Sequence, residues 1–94
     1  PANPAERVDA GRMGWHHGFH VRALRYAPGA VCPAHVRVEE EVLLAHAGRL
    51  RAEVDGASVD LGPGDTLTVP KGAVRAFTCT GERSAVVYVV RGGD

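Results

Sequence analysis

Ninety-four residues suffice for one domain and are too few for two, and a hydrophobic content of 45% belongs to a chain with a core rather than a disordered one. Eleven basic residues balance eleven acidic ones, so overall charge gives no argument for nucleic acid or an anionic membrane. No run approaches the roughly 18 apolar residues of a membrane-spanning helix.

In chain order, residues 1–18 are expected to form an N-terminal arm and residues 19–94 one barrel domain. Positions 1–14 carry two prolines, two glycines and no sustained period, which reads as an irregular stretch with one strand near its end. Turn signals then punctuate the chain at Pro28-Gly29, Asp55-Gly56, Gly62-Pro63-Gly64-Asp65, Pro70-Lys71-Gly72 and Thr80-Gly81-Glu82. Short apolar segments lie between them at 19–26, 31–37, 40–47, 49–54, 57–61, 66–69, 73–79 and 84–90. A spacing of about 8–12 residues between such segments marks an all-β sandwich or barrel. No stretch after residue 15 sustains the apolar period of a helix. Arg49 to Val54 and Ala57 to Leu61 both alternate, and Asp55-Gly56 between them predicts a two-residue hairpin with one wet and one dry face. Segment 84–90 is nearly continuous in apolar residues and predicts a buried strand.

Cys32 and Cys79 lie 47 positions apart and form no CxxC pair, so they are expected to be free thiols of a cytoplasmic protein. Because the chain begins at Pro1 rather than Met, the lack of a recognisable targeting segment carries little weight.

Residues 29–48 read GAVCPAHVRVEEEVLLAHAG, that is Gly29-x5-His35-x-Arg37-x3-Glu41-x6-Gly48. Residues 64–79 read GDTLTVPKGAVRAFTC, that is Gly64-x5-Pro70-x-Gly72-x2-Arg75-x3-Cys79. The two stretches resemble the paired motifs of the cupin superfamily, G-x5-H-x-H-x3,4-E-x6-G and G-x5-P-x-G-x2-H-x3-N. Every glycine and the proline are in register. Arg37 and Arg75 stand where histidines belong, and Cys79 stands for asparagine. The resemblance spans about residues 19–90 and implies an antiparallel double-stranded β-helix, or jelly-roll barrel.

In a typical cupin the three histidines and the glutamate point inward and hold one divalent metal. Carried over, His35, Arg37, Glu41 and Arg75 would converge inside the barrel, with Phe77 and Cys79 on the same face as Arg75. An arginine offers no lone pair and opposes a dication, so only His35 and Glu41 remain as metal ligands, a weak pair. The expectation is therefore no tightly held cofactor, with Glu41 bridging Arg37 and/or Arg75 and the surplus positive charge facing a small acidic ligand. His35 would serve as acid or base, since imidazoles as a class exchange protons near neutral pH. Each residue also has a purely structural reading. In it the arginines are solvated at the barrel mouth, Glu41 is a structural partner, His35 a hydrogen-bonded core residue and Cys79 inert filler. His46 has the opposite parity to Glu41 and should face outward.

Two further functions compete. One is a metal-dependent oxygenase or isomerase with one divalent transition metal on a rebuilt set: His35, Glu41 and Cys79, or a histidine among His16, His17 and His20. The other is a non-enzymatic ligand-sensing module. Trp15 and His17 are candidates to cap the cavity, although the histidine spacing there fits no zinc pattern. A small-molecule partner and a homodimer follow from the resemblance, with neither nucleic acid nor membrane expected.

Overall fold

A computed structural model describes residues 3–9 and 19–92, the latter without the side chain of Phe19. The described residues form nine strands: β1 (Glu6–Arg7), β2 (Phe19–Tyr26), β3 (Val31–His35), β4 (Glu40–Ala47), β5 (Leu50–Val54), β6 (Ala57–Leu61), β7 (Thr66–Val69), β8 (Arg75–Cys79) and β9 (Ala85–Gly92). They build two sheets, β1-β2-β9-β4-β7 and β3-β8-β5-β6, in which every pairing is antiparallel. No helix among the described residues is long and apolar enough to cross a membrane.

The eight segments expected from residue 19 onward all become strands, most of them because alternating apolar residues give a face to bury. Leu24, Leu43, Val69, Val87 and Val89 of one sheet meet Leu50, Ala52, Leu61 and Phe77 of the other in the core. Three boundaries differ from the sequence reading by two residues: β3 ends at His35, β8 starts at Arg75, and β9 runs on to Gly92; β5 and β9 each start one residue later than expected. The arm contributes β1 at Glu6–Arg7, opposite Arg25 and Leu24 of β2. Its expected strand position, near residue 14, lies outside the described residues.

The early end of β3 has a local cause. Pro33 has no N–H to give the ladder, and the register slips by one residue between Cys32↔Phe77 and His35↔Arg75, as in a bulge. Arg37 therefore leaves the strand. Its carbonyl instead accepts from Gly72 N at 2.9 Å, tying the loop after β3 to the turn before β8.

The β5–β6 hairpin closes as expected, with Val54 opposite Ala57 and positive φ at both Asp55 (48°) and Gly56 (85°). Asp55 also clasps the neighbouring turn, donating its N–H to Val74 O and accepting from Val74 N, each at 2.8 Å. The expected dry face holds for β5 but not for β6. That strand is the free edge of its sheet, and only Leu61 is buried.

Gly48, between β4 and β5, must be glycine for two reasons. Its φ is +73°, and a Cβ there would lie 2.8 Å from Ala85 Cα and against the Ser84 carbonyl oxygen. Gly48→Ala is expected to cost roughly 2–4 kcal/mol in urea unfolding, strain and backbone clash together. Gly64→Ala, where φ is also positive but nothing lies within 4 Å, should lose only about 1 kcal/mol. Equal losses would remove the packing half of that account.

Candidate functional site

Glu41 sits on β4 between Val69 of β7 and Arg91 of β9, with its side chain directed into the barrel and only 3% exposed. Burying a carboxylate this deeply is costly unless it is paired. Three guanidiniums do so. Arg75 Nη1 donates to Oε1 at 2.6 Å, Arg91 Nε donates to Oε2 at 2.6 Å, and Arg37 Nε lies 3.4 Å from Oε2. One negative charge facing three positive ones leaves the cluster with a formal surplus of two.

The three arginines are not equivalent. Arg75 is 0% exposed, and its remaining nitrogens are also engaged: Nε donates to Ala73 O at 3.1 Å and Nη2 to Pro70 O at 2.9 Å. It braces the turn before β8 against the centre of the barrel. Arg91 is 15% and Arg37 31% exposed, and their Nη groups have no hydrogen-bond partner among the described residues. Those groups are the ones left to meet a visitor. No buried side-chain nitrogen or oxygen among the described residues lacks a partner.

His35, at the end of β3 and opposite Arg75, places Nδ1 2.9 Å from Pro33 O. A carbonyl only accepts, so Nδ1 carries the hydrogen, and in the neutral ring Nε2 bears the lone pair. The imidazole packs edge-on to Phe77 with centroids 6.4 Å apart. Cys32 Sγ lies 3.9 Å from Nδ1, and its thiol is pushed up by burial, against the lowering pull of Arg37. Asn3, Cys32, Pro33, Ala34, His35 and Arg37 line a hollow of about 190 Å³. A second, more open hollow of about 350 Å³ lies on Val36, Arg37, Val38, Lys71 and Gly72, so Arg37 borders both.

Of the residues singled out from sequence, His35, Arg37, Glu41, Arg75 and Phe77 come together. Cys79 is buried at the other end of β8, opposite Leu50, with its thiol 3.4 Å from Arg83 O. No hydrogen bond or ion pair among the described residues joins it to Glu41. His46 faces outward and packs against Tyr88. His20 is exposed on β2, while Trp15, His16 and His17 lie outside the described residues. Among the described residues no group of three or more His, Cys, Asp or Glu is gathered as a metal centre would need.

Two members of the cluster escaped the sequence reading. Arg91 shares the inward parity of Ala85, Val87 and Val89, a signal that ending the strand at residue 90 discarded. Tyr26, the last residue of β2, shares the parity of Leu24 and is buried among the same charges. Burial pushes its phenol up to about 12, partly offset by a hydrogen bond with Asn3, with the Cys32 and Glu41 charges adding to the rise. In the unfolded chain the phenol would ionise near its ordinary 10.0. The unfolded state thus releases the proton first, and stability should fall as pH rises from about 10 to about 12. Absorbance titration and urea midpoints across that window, compared with Tyr26→Phe, test this. A wild-type midpoint that tracks the variant throughout would refute it.

The two-sheet antiparallel barrel and the glycine-framed turns around Glu41 define a cupin. The chain belongs to the Cupin_2 family, whose cupin-domain model matches residues 23–91. Among solved structures it is similar to a Schizosaccharomyces pombe Cnp3 cupin domain at a TM-score of 0.83 and 13% identity, covering 96% of this chain and 64% of that one. It is similar to an RmlC-like cupin from Shewanella frigidimarina at 0.78 and 20%, covering 96% and 85%. A cupin 2 conserved barrel protein from Salinispora arenicola matches at 0.78 and 25%, covering 95% and 74%. No curated protein matches the chain.

Proposed function

We propose that this cupin binds a small acidic organic molecule at the mouth of its barrel and holds no metal tightly. The observation that carries the reading is the pairing of both oxygens of Glu41. Each accepts from a guanidinium at 2.6 Å, so a dication on either one would lie against a paired cation. The donor set therefore does not fit a tightly held divalent ion: Arg37 and Arg75 cannot ligate, and His35 would be left with Nε2 alone. The surplus positive charge favours an anion at the exposed nitrogens of Arg37 and Arg91. Arg75, with all three nitrogens engaged, positions Glu41 rather than touching the ligand. His35 borders the hollow as the group able to exchange a proton with what binds there.

The test is a thermal-shift screen of short carboxylates and phosphates against neutral amides of the same size. Ligand binding raises stability by about 2.7 kcal/mol at a hundredfold excess over Kd, a shift easily read in a domain of this length. Anions that raise the melting temperature in wild type and fail with Arg37→Gln are the expected result. Equal shifts from amides and anions would overturn the reading.

A further inference from the structure

The hollow beside His35 specifies more than negative charge. Its two reactive walls have opposite hydrogen-bonding character, and the backbone fixes that difference. Arg37 offers only donors. His35 has its Nδ1–H committed to Pro33 O at 2.9 Å, so its neutral ring presents an acceptor, Nε2, wherever it meets a ligand. Proline is what frees that carbonyl locally, since the chain bulges at this position and the β3–β8 ladder skips a residue. Asn3 commits its carbonyl oxygen to Ala5 N at 2.9 Å and its amide to the Tyr26 phenol, so it adds no competing acceptor to the wall that holds the guanidinium.

We infer that the ligand is a short hydroxycarboxylic acid, its carboxylate on Arg37 and its hydroxyl donating to His35 Nε2. The inference rests on the proposed function and narrows it. A hollow of about 190 Å³ suits a molecule of a few carbons, below the usual drug-sized range of roughly 300–1,000 Å³. His35 and Arg37 line one small hollow, so the two polar groups of the ligand must also be close, as on adjacent or next-adjacent carbons. A short dicarboxylate fits the charge but not the pattern, because its second carboxylate would meet the imidazole lone pair with no proton to share. A simple carboxylate leaves that acceptor facing a methyl group. Sites built to hydrogen-bond a hydroxyl discriminate strongly against ligands that lack it.

The experiment is calorimetric titration of lactate, propionate and malonate at pH 8 into wild type, His35→Phe and Arg37→Gln. Lactate should bind wild type at least tenfold more tightly than propionate or malonate. His35→Phe should abolish that preference while retaining propionate affinity, and Arg37→Gln should weaken all three. Equal wild-type affinity for lactate and propionate, or tighter malonate, would overturn the inference and leave anion binding standing. A hydroxyl preference that survives in His35→Phe would overturn the role given to His35. Failure of all three acids to bind wild type would remove both the inference and the proposed function beneath it.

Discussion

Glu41→Gln is expected to destabilise the fold by about 3–5 kcal/mol, the range for removing one partner of a buried ion pair. The substitution keeps the size of the side chain and removes the only negative charge among three guanidiniums. Arg75, at 0% exposure, cannot swing to solvent to relieve the repulsion. A loss of this size is a large share of the stability of a small domain, so the variant is expected to be partly unfolded in dilute buffer. The same logic supplies a rescue. Sulfate or formate should raise its melting temperature more than that of the wild type, by supplying negative charge to the partly exposed Arg37 and Arg91. A variant as stable as wild type, with no selective response to anions, would show that the charges in the barrel are not coupled.

Arg75→Lys is the second large effect. The guanidinium serves three acceptors, Glu41 Oε1 on β4 and Ala73 O and Pro70 O in the turn before β8, through one planar fork. An ammonium is a point donor on a different stem and cannot reproduce that geometry. Ala73 O would lose its guanidinium donor and Pro70 O would keep only the Ala73 N–H at 3.2 Å, and about 1–3 kcal/mol should go with them. Arg37→Lys, at a partly exposed pair 3.4 Å apart, should cost well under 1 kcal/mol by comparison. Combining Glu41→Gln with Arg75→Met should cost less than the two single losses added together, since each removes the other's partner. Strict additivity in chemical denaturation would mean that the two side chains are energetically separate.

Much of this architecture can be read from residue order. Period-two alternation and closely spaced turn residues place β2 through β9, because each signal is local. The cupin motifs bring His35, Arg37, Glu41 and Arg75 toward one interior volume, and Glu41 does bridge Arg37 and Arg75. What local signals miss is set by register and by long-range packing. Arg91 is hidden because Arg-Gly-Gly resembles a chain reversal, whereas the strand continues and puts Arg91 directly opposite Glu41. Arg37 leaves β3 because one proline shifts the ladder, so simple alternation does not describe its position. Asn3 reaches the hollow from an arm with no period at all. The surplus charge therefore involves a third arginine that the two motifs, ending at residues 48 and 79, cannot reveal.

The most direct test is elemental analysis of the protein purified without a histidine tag and dialysed after exposure to zinc, manganese and ferrous iron. With both oxygens of Glu41 held by arginines, the expected content is far below one metal ion per chain. One full equivalent retained through dialysis would contradict the account, since a divalent ion on that carboxylate would sit against the guanidiniums already paired with it.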